Sequence, residues 1–276
     1  MVMPMTDLPR ATYRSPEELR TIEALVIDMD GVLWRGDVPM PGLHAFFDLL
    51  RSRPIRFRLA TNNPTRTPEQ YVAKLARMGV HVTPQEILTS AIVTARYLAK
   101  EMPGARVFVI GMDGLHQALL EHGLRIGDGE AADCVVVGLD TQLTYAKLAD
   151  AALLIRAGAR FIGCNPDVTL PSERGLLPGN GATLAYLQAA TGVAPLIIGK
   201  PERAIFDAAL EAMQVPAARA ATLGDRLETD ILGGQRAGMH SILVLSGATD
   251  SAQLASSPIQ PDWVFESIQE LAAAWP

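Results

Sequence analysis

Asp28 and Asp30 lie two positions apart, just after the apolar run Leu25-Val26-Ile27 and just before Gly31. In an extended chain, residues i and i+2 face the same side, so both carboxylates can enter one site if the strand continues. Two like charges that close repel unless a cation or a proton is shared between them. A Mg2+ ion, which takes oxygen ligands and keeps several waters, meets that need. Taken alone, the pair reads equally well as ordinary turn or capping aspartates.

Three further segments follow apolar runs in the same way. Thr61-Asn62-Asn63-Pro64 offers a hydroxyl and backbone amides suited to the oxygens of an anion, although Asn and Pro are also common turn formers. Lys200-Pro201 places a point charge just before an expected helix start. It is no P-loop, because Pro201 stands where Ser or Thr is required. Gly224-Asp225-Arg226-Leu227-Glu228-Thr229-Asp230 supplies two more carboxylates, Asp225 at a strand end and Asp230 at the expected start of a helix. Each segment is weak evidence, but acid pair, hydroxyl, lysine and acid pair in that order fit one site for an anion and a hard cation.

The elements that must position these groups are short Val- and Ile-rich runs alternating with amphipathic segments. Strands are expected at Ala24–Asp28, Arg56–Ala60, Arg106–Ile110, Cys134–Gly138, Arg160–Cys164, Pro195–Gly199, Ala220–Gly224 and Ser241–Leu245, with a weaker one at Trp263–Phe265. Apolar residues at three- and four-residue spacing predict helices including Leu43–Arg51, Pro68–Met78, Ile87–Glu101, Leu115–His122, Tyr145–Ala157, Ala182–Ala190 and Arg203–Met213. This alternation predicts an α/β protein with a mostly parallel sheet, in which ligands sit beyond the carboxyl ends of the strands. Residues 1–19, with Pro4, Pro9 and Pro16, read as a loosely held lead-in.

The chain has 276 residues, 49% of them apolar and 20% charged, with a formal charge of −6. That is a globular composition without a basic field for nucleic acid. The first residues have neither the basic start nor the apolar stretch of a secretory signal, and no apolar run approaches the ~20 residues needed to cross a bilayer. The expectation is a cytoplasmic protein with no membrane partner. Cys134 and Cys164 lie far apart in apolar runs and read as buried free thiols rather than a disulfide. The five histidines are scattered, without metal-binding spacing. Gly179-Asn180-Gly181 opens like a dinucleotide fingerprint, but Leu184 stands where the third glycine is needed.

Together the four segments resemble the sequence motifs of the haloacid dehalogenase (HAD) superfamily of phosphatases. Asp28-Met29-Asp30-Gly31-Val32-Leu33 resembles the first motif, Thr61-Asn62-Asn63 the second, Gly199-Lys200-Pro201 the third and Gly224 to Asp230 the fourth. The long insertion between the second and third resembles the α/β cap of the NagD-like subfamily, with Asn165-Pro166-Asp167 through Arg174-Gly175 to Pro178-Gly179 as its substrate-side loop.

The resemblance implies a Rossmann-like core at 20–86 and 195–276, interrupted by a C2-type α/β cap at 87–194. It implies Asp28 as nucleophile and Asp30 as general acid and base. It also implies Mg2+ held by Asp28, the Asp30 carbonyl and Asp225, with Asp230 in support. Thr61, Asn62, Asn63 and Lys200 would bind the phosphoryl group, and Asn165 and Asp167 would face the rest of a small phosphorylated metabolite. A homodimer through the cap is a further expectation. A phosphotransferase or mutase using the same aspartyl-phosphate, and a non-catalytic phosphate-ligand binding protein, remain as alternatives.

Overall fold

The structure, a computed structural model, describes residues 13–172 and 175–276. The chain divides into two compact units: Met1–Leu59, Met78–Val80 and Ala209–Pro276 form the first, and Ala60–Arg77 with His81–Ala208 the second.

In the first unit the parallel strands lie in the order Trp263–Phe265, His240–Val244, Ala220–Gly224, Ala24–Ile27 and Arg56–Thr61, the last running on into the second unit. Ala24–Ile27 is buried along its whole length, as a central parallel strand flanked on both sides requires. Ile27 is in register with Leu223 on one side and Leu59 on the other. The chain adds Arg56–Thr61 on one side of the first strand and later returns to add Ala220–Gly224 on the other. The strand order therefore reverses between Ala24–Ile27 and Ala220–Gly224, the crevice where open α/β sheets bind ligands.

The helix Leu43–Ser52 buries Leu43, Phe46, Phe47 and Leu50, a stripe at helical spacing. Phe47 meets Phe57 edge to face with ring centroids 5.5 Å apart.

The first twelve residues of the expected lead-in lie outside the described residues. Residues 13–20 are anchored rather than loose. Ser15 and Glu18 form a capping box on the 3-10 turn Pro16–Thr21. Leu19 is fully buried, the Trp263 indole donates to the Ser15 carbonyl at 3.1 Å, and Arg14 pairs with Asp262 at 2.8 Å. Three prolines suggest a loose segment, but one buried leucine and a reciprocal cap outweigh them.

The second unit has its own parallel sheet, ordered Leu196–Ile197, Arg160–Gly163, Cys134–Val137, Arg106–Ile110 and Arg125–Ile126. Phe108, Ile110, Val135, Val137 and Phe161 from these strands pack with Ala151, Leu154 and Ile155 of the helix Tyr145–Arg156 and Leu184 and Leu187 of the helix Asn180–Thr191. An antiparallel hairpin pairs Thr169–Ser172 with Gly175–Pro178. Ile87–Thr89, expected to open a helix, is instead a strand; the Thr89 hydroxyl accepts from the Ile92 amide and caps the helix Ser90–Glu101. Among the described residues no helix is long and apolar enough to cross a membrane.

Both cysteines are free and buried, as the sequence reading expects. Burial pushes the Cys164 thiol up to about 12 and, with help from the neighbouring Asp133, the Cys134 thiol up to about 11. Neither is a thiolate near neutral pH, so neither is a nucleophile in the native fold. A disulfide-exchange reagent near neutral pH should leave both unmodified in the native protein and titrate both after denaturation. For the anchored turn, Leu19→Ala should lower the unfolding free energy by about 2–4 kcal/mol in urea titrations; a change under about 0.5 kcal/mol would mean that the turn is not part of the core.

Candidate active site

Asp28 immediately follows the first strand, and its amide donates to the Leu223 carbonyl at 2.8 Å, extending the pairing by one residue beyond Ile27. Asp225 immediately follows Ala220–Gly224. These two carboxylates thus emerge on either side of the switch point. Asp230 joins them from the π-helical turn Leu227–Ile231. One carboxylate oxygen from each of Asp28, Asp225 and Asp230 lies within 4.8 Å of the other two. Asp225 and Asp230 are almost fully buried, and Asp28 is half-buried.

Backbone amides meet part of this charge. Asp225 accepts from the Ala248 amide at 2.7 Å. Asp230 accepts from the Arg226 amide at 3.2 Å and the Thr229 hydroxyl at 3.4 Å. Small residues let the chain come this close. A Cβ built on Gly31, whose φ is +87°, would lie 2.8 Å from the Asp225 Cγ, and one on Gly224 would lie 2.6 Å from an Asp230 carboxylate oxygen. A Cβ on Gly247 would sit 2.5 Å from the Asp225 Cβ and overlap its carboxylate. Real Cβ atoms do not approach so near, so the acidic cluster sits in a glycine-lined cradle.

Asp30 stands apart from this cluster. It is exposed, lies beyond the end of the strand, and its Oδ1 accepts from the buried Trp34 indole at 2.7 Å. Trp34 did not figure in the sequence reading. Its signal was there: a buried indole N–H needs an acceptor, and Asp30 is four residues away.

In the second unit, Thr61 is buried at the end of its strand and accepts the Asn63 amide on its hydroxyl at 3.1 Å. The Asn63 side chain is spent on its own turn, accepting from the Thr65 amide at 3.0 Å and the Thr65 hydroxyl at 2.7 Å. Asn62, Asn165 and Lys200 are all buried. Asn62 Oδ1 accepts from the Lys200 amide at 2.8 Å, and Asn62 Nδ2 donates to the Lys200 carbonyl at 3.0 Å and to Asp167 at 3.3 Å. Ser90 and Asn165 both donate to the Asn62 carbonyl at 2.7 Å. This unit therefore joins Asn62, Asn165, Asp167 and Lys200 in one hydrogen-bonded set, to which Ser90 was not assigned in advance. Arg174, expected on the same loop, lies outside the described residues.

Residues 25–125 match the family model described as haloacid dehalogenase-like hydrolase, and residues 197–271 match a second model, HAD-hydrolase-like. The chain is 42% identical over 255 residues to acid sugar phosphatase from Staphylococcus aureus, covering 92% of this chain and 98% of that protein. The chain belongs to the haloacid dehalogenase-like hydrolases. Its fold matches that of 4-nitrophenylphosphatase from Thermotoga maritima with a TM-score of 0.90 at 37% identity, over 94% and 99% of the two chains. NagD from E. coli matches with a TM-score of 0.84 at 34% identity, over 90% and 98%. Glycerol phosphate phosphatase from Mycobacterium tuberculosis, solved in complex with magnesium, matches with a TM-score of 0.86 at 35% identity, over 94% and 78%. Within the family the chain is a phosphatase of the NagD-like branch.

The glycine cradle yields a direct test. Gly247→Ala should displace the Asp225 carboxylate and lower phosphatase kcat/KM about 100-fold, the cost expected of a misplacement near 1 Å. Steady-state kinetics with matched thermal melts will measure it, and activity within about threefold of wild type would refute the cradle.

Proposed function

We propose that the chain is a Mg2+-dependent phosphomonoesterase for small phosphorylated metabolites, working through an aspartyl-phosphate at Asp28. The observation that carries this reading is the meeting of Asp28, Asp225 and Asp230 oxygens within 4.8 Å at the switch point. An all-oxygen, all-anionic donor set in a tight cradle fits a small hard cation. Asp28, the Asp30 carbonyl and Asp225 would hold it, with Asp230 in support. Bound Mg2+ would supply charge neutralisation for the carboxylates and the phosphoryl oxygens.

In this reading a carboxylate oxygen of Asp28 attacks phosphorus, and the ester P–O bond breaks as Asp30 gives its proton to the departing alkoxide. Asp30 then takes a proton from water, whose oxygen attacks the same phosphorus. Phosphate leaves and the Asp28 carboxylate is restored. The Thr61 hydroxyl, the Asn62 amide and the Lys200 ammonium stabilise the equatorial oxygens, so catalysis rests on positioning and charge. All four motifs fall at 20–86 and 195–276, which supports that span as catalytic core and 87–194 as the substrate-selecting cap, with Asn165 and Asp167 facing the substrate. The names of the relatives, a sugar phosphatase and a glycerol phosphate phosphatase, support a sugar- or polyol-sized ester.

Purified protein should hydrolyse 4-nitrophenyl phosphate with Mg2+ and lose the activity in EDTA. Asp28→Asn should lower kcat by at least about 1,000-fold, because no aspartyl-phosphate can form. Turnover that survives Asp28→Asn would sink the mechanism. Transfer of phosphate to an added sugar in place of release to water would favour a phosphotransferase.

A further inference from the structure

The Asn62 side chain makes an unusual choice of partner. Its carboxamide lies against the backbone of Lys200, accepting from the N–H at 2.8 Å and donating to the C=O at 3.0 Å. This two-point pairing reproduces on one side chain what a neighbouring strand offers a residue. The second Nδ2 hydrogen goes to Asp167 at 3.3 Å. The Asn62 carbonyl is held in turn by Ser90 Oγ and Asn165 Nδ2, both at 2.7 Å. Asn180 continues the chain, donating to the Asn165 carbonyl at 2.8 Å and the Val137 carbonyl at 3.1 Å. Asn62 is 8% exposed, Lys200 2%, Asn165 3%, Asn180 1% and Ser90 0%, so water does not substitute for these bonds. Gly199 makes the clamp sterically feasible: a Cβ there would lie 2.6 Å from Asn62 Oδ1.

We propose that the Asn62 carboxamide is the positioning residue for Lys200: it fixes the lysine backbone, leaving only the side-chain torsions to aim the ammonium at the phosphoryl group. This rests on the phosphoryl-binding role proposed for Lys200. Asparagine alone suits the clamp, because it carries a donor and an acceptor on one short planar group. Glutamine is one methylene too long, and an ionised aspartate has no donor.

The test turns on an isostere whose donor can be switched by pH. In Asn62→Asp, a protonated carboxyl keeps both bonds: its C=O accepts from the Lys200 N–H and its O–H donates to the Lys200 carbonyl. The ionised form loses the donor and faces both that carbonyl and the Asp167 carboxylate. Of the charged groups around this position, Asp167, in contact with Asn62 Nδ2 at 3.3 Å, favours the protonated form, and the positive charge of Lys200 opposes it. Cys164, whose carbonyl accepts from the Gly199 amide at 3.0 Å, stays protonated throughout, its thiol pushed up to about 12.

With 4-nitrophenyl phosphate and Mg2+, Asn62→Asp should show kcat about 100-fold below wild type near pH 8, with KM changed less than about threefold. The ratio of variant to wild-type kcat should rise about tenfold or more toward pH 5 as the donor returns. Asn62→Ala should lose a similar factor with no such recovery. Lys200→Met separates the two levels: its own loss of kcat supports the role of Lys200 whatever Asn62 does, and its full activity overturns that role and the clamp's purpose together. If Lys200→Met is impaired, a flat pH ratio in Asn62→Asp, a loss confined to KM, or kcat within about threefold of wild type overturns the clamp alone. Should Asn62→Ala fail to fold, amide exchange at Lys200 decides. Exchange should be slow in the wild type, where Asn62 Oδ1 holds the Lys200 N–H, and fast exchange there overturns the proposal.

Discussion

Three carboxylates with oxygens inside 4.8 Å of one another are the constraint around which the first unit is built. At an effective dielectric near 20, each ionised pair at that distance repels by about 3 kcal/mol, and three pairs by about 10. A whole domain is stable by only about 5–15 kcal/mol. Full ionisation of the cluster without a cation or a shared proton would therefore offset most of the fold's stability. The backbone amides of Ala248 and Arg226 relieve part of that cost. The remainder is what the cation proposed for this cluster would relieve. The same argument explains the glycines: the repulsion can be exploited only if the chain lets the acids come close, and Gly31, Gly224 and Gly247 are the positions where any side chain would hold them apart.

The second unit meets a different demand with uncharged groups. One hydrogen-bonded set there joins the buried Asn62, Ser90, Asn165 and Asn180, with buried Lys200 and half-buried Asp167 as its charged members. Amide groups keep their charge as a reaction proceeds, so in the phosphoryl-binding role proposed for Lys200 they would hold its backbone constant while charge forms and disperses. A network of carboxylates in that place would change its own protonation with each proton transfer. Buried chains of this kind also rigidify their surroundings where their members are satisfied, and here, among the described residues, Asn180 Oδ1 is the atom left without a partner.

Much of this was legible in the sequence because the informative residues sit at strand ends. Ala24–Ile27 and Ala220–Gly224 are buried on both faces and read as continuous apolar runs, so Asp28 and Asp225 stood out as the first polar residues beyond them. What stayed hidden depended on partners distant in the chain. Ile87-Leu88-Thr89 merges into the apolar period of the following helix, and only the cap formed by Thr89 separates the two. Leu170-Pro171 in Thr169–Ser172 carries a proline that argues against a strand, yet a two-stranded hairpin has open edges that tolerate one. Gly247 lies 22 residues beyond Asp225 in a loop with no periodic signal. The amide of Asn180 looked like part of a failed dinucleotide fingerprint, and its two acceptors, Val137 and Asn165, are set by the packing of separate strands.

The bond between Trp34 and Asp30 limits how a proton can be handled there. The indole N–H is a donor only, and it is directed at Oδ1 at 2.7 Å. In the acid–base role proposed for Asp30, the oxygen that accepts from the indole is the poorer site for a proton, because its lone pair is already engaged. In that role Oδ2 would be the oxygen left to meet the leaving group and later the water. Trp34 is fully buried, so its indole keeps that orientation at little entropic cost. An exposed carboxyl on a turn would otherwise rotate freely and present either oxygen. A fixed donor on one side would make Asp30 a one-sided acid, presenting the same oxygen to both proton transfers of the proposed reaction.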